Sequence, residues 1–144
     1  MNKLINISEA SAIAIHSLSL ISKTSNSINA ARISKLSGYS KNHLSKVLQV
    51  LVKHGYLSSN RGPRGGFRLI QDATTISLYD IYSLFEGRTI NNKSKSDKCP
   101  FENDIFGDII SQMSEIFIKA FNARTIADVK WKDGIIAEEF FKTA

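Results

Sequence analysis

The residues best suited to chemistry are Ser40, Lys41, Asn42, His43 and Lys46, followed by Arg61 and Arg64 on a segment rich in glycine and proline. Their side chains suit a polyanion. An asparagine amide pairs with adenine in bidentate fashion, a lysine ammonium donates to guanine or phosphate, and an arginine fits a phosphate or a narrow minor groove. A helix starting at Ser40 adds free backbone N–H groups and the positive end of its dipole, which together can hold a phosphate. Catalysis finds no comparable set. His16 falls on the expected buried face of a helix and His54 near a helix end, so both read as structural. No Asp or Glu clusters with a histidine in the sequence, and no Ser/His/Asp or Cys/His constellation can be assembled. The single cysteine, Cys99, cannot supply four-cysteine or Cys/His metal spacing. The glycine-rich segment lacks the Gly-Lys-Ser/Thr ending of a phosphate loop. The chain is therefore expected to be no enzyme and to carry no metal or cofactor.

The elements that must hold these residues can be read from spacing. From Lys41 to His54, Leu44, Val47, Leu48, Leu51 and Val52 recur at helical intervals, with Lys41, Asn42, Ser45, Lys46, Gln49 and Lys53 opposite. Ser40 is a good N-cap and Gly55 ends the helix. A shorter helix, about Asn29 to Leu36, precedes it, capped by Asn29 or Ser27, with Ala30, Ile33 and Leu36 inward. Gly38 suits the left-handed residue that stops it. Two helices across a short glycine-bearing turn are a helix-turn-helix pattern. Arg61-Gly62-Pro63-Arg64-Gly65-Gly66-Phe67-Arg68-Leu69 follows at once, behind the alternating run Tyr56 to Asn60. Gly and Pro meet the unusual angles of a hairpin tip, so the stretch reads as strand, basic loop, strand. Alone, the helix reads as a solvated face and the loop as a simple turn. In this order they make a winged helix-turn-helix that offers a helix and a basic hairpin to double-stranded DNA. A dimer would offer two to a roughly palindromic site.

Charge agrees with that reading. The chain of 144 residues has a formal net charge of +6 and a pI of about 9.5. Arg32, Lys35, Lys41, Lys46, Lys53, Arg61, Arg64 and Arg68 have no Asp or Glu among them; the acids are Glu9 and those from Asp72 onward. Such a field suits a polyanionic partner without proving one. An apolar share of 42% supports a real core. No stretch of 18 apolar residues occurs, and the N-terminus lacks a charged region, apolar run and cleavage site, so a soluble cytoplasmic protein without membrane contact is expected.

Around this reading head, residues 8–22 form a first helix capped by Ser8, with Ala10, Ile13, Ala14, Ser17, Leu18 and Ile21 on one face. After the wing, Ser77-Leu78-Tyr79-Asp80 is a capping box that opens a helix through Ile81, Leu84 and Phe85, closed by Gly87. A polar loop, Arg88 to Lys98, is expected to be mobile unless a partner orders it. A long helix from about Phe101 to Asn122 carries Ile105, Ile109, Met113, Ile116 and Ala120 in one row, and Phe106, Ile110, Phe117 and Phe121 in the next. That face is too apolar and too wide for a monomer's surface and is expected to pack on a second copy. Thr125-Ile126-Ala127-Asp128 is a second capping box, and the tail has a weaker helical pattern through Ile135, Ile136, Phe140 and Phe141. The expected fold is mainly α with a small β-hairpin wing. It comprises a winged helix-turn-helix domain over 1–87, a flexible loop 88–100 carrying Cys99, and a dimerisation helix with tail over 101–144.

Gly38-Tyr39-Ser40 through Leu44, then Leu48, Leu51 and Gly55, and above all Arg61-Gly62-Pro63-x-Gly65-Gly66-Phe67-x-Leu69, resemble the IscR/NsrR/CymR-type winged-helix regulators of bacteria, the Rrf-two family. The likeness continues through Ile76-Ser77-Leu78-x-Asp80-Ile81 and Glu86-Gly87 to Thr125-Ile126-x-Asp128-Val129, roughly residues 8–130. It implies a homodimer that crosses its long helices and represses or activates promoters, with Ser40, Asn42, Lys46 and Arg61 on DNA. Ser45 stands where the cluster-binding regulator has a discriminating Glu. Iron–sulfur members use three cysteines in the loop before the long helix. Here only Cys99 is present, at the place of the last, so no three-cysteine cluster is expected. Lys98-Cys99-Pro100 is more similar to the cluster-free YwnA-type members, in some of which a thiol at this place is a candidate oxidant sensor. Lys93, Lys95, Lys98 and the start of the next helix would favour the thiolate this needs; an ordinary thiol is the other reading. The expected function is a homodimeric DNA-binding transcriptional regulator, a repressor, redox-responsive through Cys99 or controlled by an unidentified effector or protein partner. The alternative is a protein-interaction adaptor of the same fold that regulates by binding a metabolic enzyme.

Overall fold

The computed structural model describes residues 6–87, 108–135 and 137–142. In chain order the elements are α1 (Glu9–Ser22), α2 (Ala30–Ser37), α3 (Lys41–Lys53), β1 (Leu57–Asn60), β2 (Gly66–Leu69), α4 (Leu78–Glu86), α5 (Asp108–Asn122) and α6 (Ala137–Lys142), with 3-10 turns at Ala73–Thr75 and Ile126–Asp128. The architecture is mainly α with one antiparallel hairpin, as the sequence leads one to expect.

α1 starts where the Ser8 hydroxyl accepts from the Ser11 N–H at 3.2 Å. It buries Ile13, Ala14, Leu18, Leu20 and Ile21, because α2, α3, α4 and β2 all pack on it. A helix covered on so many sides has little room for large polar groups, and its buried polar positions are the small Ser11, Ser17 and Ser19. His16 departs from the expected placement. It is exposed, with Nδ1 2.6 Å from the Tyr39 hydroxyl and its ring stacked on Tyr39 at 6.0 Å between centroids. An imidazole inside the apolar core would lack a partner, whereas the surface position supplies a phenol and water.

The hairpin pairs Leu57 with Leu69 and Asn60 with Gly66. Its inner edge is tied to the segment before α2: the Phe67 N–H donates to the Ile28 carbonyl at 2.8 Å, and the Ile28 N–H to the Phe67 carbonyl at 3.2 Å. This contact explains Gly66, which lies beside the chain rather than at the tip. At φ +144° a Cβ there would stand 2.5 Å from the Ile28 carbonyl carbon and oxygen, so any other residue would push the wing off the helix pair. Phe67 is buried in the core and Leu69 packs on it, which anchors the hairpin from below.

α5 lies on α4 through a cluster of rings. Tyr82 meets Phe117 and Phe121 edge-on, with centroids 5.1 and 5.7 Å apart. The two apolar rows of the long helix thus separate: Phe117 is buried, while Ile109, Met113 and Ile116 are 57%, 43% and 70% exposed. Ile110, from the second row, is exposed with them. Ile105, Phe106, the helix start at Phe101, and Cys99 with its loop lie outside the described residues. The end of α5 is stitched to the core. The Leu78 N–H donates to the Arg124 carbonyl and the Ile126 N–H to the Ile76 carbonyl, each at 2.9 Å. The Thr125 N–H and hydroxyl donate to the Asp128 carboxylate at 2.8 and 3.1 Å, and Ile126 is buried. The tail then returns to the core: the Trp131 indole N–H donates to the Ser19 hydroxyl at 3.1 Å, and Phe140 and Phe141 of α6 pack on the core residues. Among the described residues no helix is long and apolar enough to cross a membrane.

Candidate nucleic-acid interface

The front of α3 is set by its own local sequence. Asn29 caps α2 by accepting from the Arg32 N–H at 2.8 Å. Gly38 ends α2 at φ +79°, a left-handed angle that glycine adopts without a Cβ clash. Ser40 caps α3 by accepting from the His43 N–H at 3.4 Å. On the inner side Leu44, Val47, Leu48 and Leu51 are buried. Lys41, Asn42 and Lys46 are consequently held outward and exposed, and none of their side chains has a hydrogen bond or ion pair among the described residues. Ser40 is also exposed, with one lone pair committed to the cap and its O–H still able to donate.

Arg61 and Arg64 stand exposed on the wing, likewise without partners among the described residues. Gly65 closes the tip by donating its N–H to the Gly62 carbonyl at 2.9 Å. The third wing arginine differs: Arg68 donates to the Ser25 carbonyl at 2.8 Å, so it braces the hairpin against the loop before α2. Arg32 is engaged as well, donating to the Phe141 carbonyl of α6.

His43 is the residue whose surroundings the sequence did not disclose. Its Nδ1 lies 3.4 Å from a Glu9 carboxylate oxygen. An acid therefore does stand against a histidine, contrary to expectation, because the first turn of α1 comes beside the first turn of α3. Glu9 was the lone acid ahead of Asp72, but no periodicity links it to a residue so far along the chain. Tyr39, next to the cap, feels the same carboxylate. Its phenol is pushed up first by burial and then by the Glu9 charge. Glu86 performs a related service behind the helices. Its carboxylate accepts from the Ser8 N–H at 2.9 Å and from the Ser11 hydroxyl at 2.7 Å. Burial pushes Glu86 up, but these hydrogen bonds together outweigh it and hold the group below its ordinary range.

A capped helix pair, a basic wing on its flank and an exposed cationic helix start define a winged helix-turn-helix DNA-binding protein. The Rrf2 family profile, described as an iron-dependent transcriptional regulator, matches residues 7–130, and the chain belongs to that family. It is accordingly a DNA-binding transcriptional regulator and not an enzyme. BadM of Rhodopseudomonas palustris, named as an HTH-type transcriptional regulator, is 27% identical over 112 residues, covering 78% of this chain and 72% of BadM. The fold is that of IscR from T. potens, with a TM-score of 0.71 at 19% identity, covering 86% of this chain and 85% of that one. It is equally that of CymR, the global cysteine regulator of B. subtilis, with a TM-score of 0.67 at 20% identity over 86% of this chain and 95% of CymR.

The iron in the family's description does not suit this chain's donors. A cysteine-ligated cluster needs several thiolates, and the sequence holds one cysteine. Among the described residues no three His, Cys, Asp or Glu side chains gather where they could hold a metal ion.

Proposed function

We propose that the chain works as a homodimeric repressor that places α3 of each copy in the major groove of a roughly palindromic operator and lays each wing on the adjoining backbone or minor groove. What supports this most is the set Lys41, Asn42, Lys46, Arg61 and Arg64, all exposed and all without partners among the described residues, in a stretch with no acid of its own. Asn42 and Lys46 read base edges, Ser40 and Lys41 hold phosphate at the helix start, and His43 is steadied by Glu9. Arg61 and Arg64 carry the wing contact. In this reading residues 1–87 form the DNA-binding domain, 88–100 a connecting loop, and 101–144 the dimerisation segment and tail, with the exposed α5 row meeting the second copy. Cys99, outside the described residues, is the proposed oxidant-responsive thiol on the strength of the resemblance alone.

A mobility-shift titration on the protein's own upstream region tests the proposal. A specific shift that is weakened in Arg64→Ala and Lys46→Ala supports it; affinity unchanged in both variants sinks it. Weak, salt-sensitive binding to any DNA, together with a stable complex with a metabolic enzyme, would favour the adaptor reading. For Cys99, peroxide treatment should change operator affinity or migration on a non-reducing gel, and Cys99→Ser should not respond.

A further inference from the structure

A second surface of the chain has the opposite chemistry from the DNA face. A cleft of about 500 Å³ opens where the end of α3 meets the start of α4, lined by His54, Tyr56, Tyr79, Asp80, Ser83 and Leu84. Its size suits a small ligand. Another cleft, about 410 Å³, is lined by Lys23, Arg32 and Lys142 among others, and Arg32 there is already engaged with the Phe141 carbonyl. By contrast, among the described residues no lysine or arginine lines the α3–α4 cleft, in a chain whose net charge is +6.

The α3–α4 cleft is rich in acceptors. The Asp80 side chain is exposed and has no hydrogen bond or ion pair among the described residues; its backbone N–H donates to the Ser77 hydroxyl at 3.0 Å. The His54 Nδ1 lies 2.9 Å from the Val50 carbonyl. A carbonyl can only accept, so Nδ1 carries the proton and the neutral ring keeps Nε2 as an acceptor. Tyr56 lies within the field of Asp80: its phenol is pushed up first by burial and then by that carboxylate. A carboxylate beside aromatic side chains, with a further acceptor and no competing cation, is the set that recognises an ammonium group.

We propose that this cleft binds a small primary amine in its ammonium form, with Asp80 as counter-charge, His54 Nε2 as acceptor, and Tyr56 and Tyr79 as aromatic walls. The site touches the end of the helix that carries Lys41 and Lys46, and the helix on which α5 packs. Any effect of the ligand on DNA affinity rests on the DNA reading above, whereas binding itself does not.

The direct test is an NMR titration of the full chain with n-butylammonium chloride at about pH 7.5, where the amine is in its ammonium form. The controls are 1-butanol, the uncharged analogue, and potassium chloride. Saturable shifts at Tyr56, Tyr79 and Asp80 are expected with the amine, and binding at least about tenfold weaker with butanol. Asp80→Asn keeps the N–H that caps α4, so the fold should persist, as an unchanged melting temperature would show, while amine affinity falls at least about tenfold. Tyr79→Leu should weaken it by a smaller factor. Absence of saturable shifts, equal shifts from potassium chloride, equal affinity for butanol, or an Asp80→Asn variant that binds as well as the parent would each overturn the proposal.

Discussion

α3 and α5 carry the same kind of apolar repeat and use it in opposite ways. α3 spends its row inside its own chain, with Leu44, Leu48 and Leu51 fully enclosed, and turns lysines outward. α5 commits only its phenylalanine row to α4 and leaves Ile116 70% exposed and Ile109 57% exposed. Both helices therefore present a face that the described chain does not cover, one cationic and one apolar. Periodicity reveals that a stripe exists; only packing reveals whether the same chain covers it. An exposed charge is well solvated and can wait for a polyanion, whereas an exposed row of isoleucines loses free energy to water until something apolar lies against it.

The largest expected effect tests that contrast directly. Leu48→Ala should cost about 3 kcal/mol of stability in a denaturant titration, because it opens a cavity in a sealed core. Ile116→Ala should change the stability of the monomeric unit by less than about 0.5 kcal/mol, since its side chain is largely in water already. If both cost the same, α5 is not the uncovered helix described above. Next, Ile116→Lys should leave the circular dichroism unchanged but raise the dissociation constant of the proposed homodimer at least about a hundredfold, a shift of about 3 kcal/mol, by placing a charge in its proposed apolar interface. Sedimentation equilibrium reads this, and an unaltered mass would remove the apolar row from the dimer interface.

The cationic face is tested with smaller changes. Arg64→Ala should lower DNA affinity about evenly across sequences and reduce the slope of log K against log salt by about one, while Asn42→Ala should relax specificity at one base position. The smallest effect concerns Glu86. Its folded pKa lies below its ordinary 4.5, so its stabilisation is present above that value and lost as pH falls through the folded pKa. Glu86→Gln should cost about 1 kcal/mol near neutrality. The gap between variant and parent should close as thermal melts are taken below about pH 4.5.

Much of the fold and part of the site could be read along the chain. The Ser8, Asn29, Ser40 and Ser77 caps, the stop at Gly38 and the wing behind Gly55 are short-range devices, each satisfied by residues a few positions away. The single-sign charge from Arg32 to Arg68 is likewise visible without coordinates. His16 went astray because a wide apolar helix gives a poor measure of where its buried arc ends. Arg68, which the sequence reading left out of the DNA contacts given to Arg61 and Arg64, is tied to Ser25 across 43 positions. The brace of Trp131 on Ser19 spans 112 positions, and no local rule foresees it.

The sequence by itself determined that this protein is a winged helix-turn-helix with a basic reading face, because caps, glycine angles and helical spacing are local requirements written within a few residues of one another. Tertiary structure alone decided four things. Glu9 stands against His43, Phe117 and Phe121 rather than Ile116 cover α4, the tail closes over α1, and an acceptor-lined cleft forms between His54 and Asp80. Each of these depends on which distant surfaces come within a few ångströms. That is settled by the packing of the whole core, in which every side chain competes for the same volume.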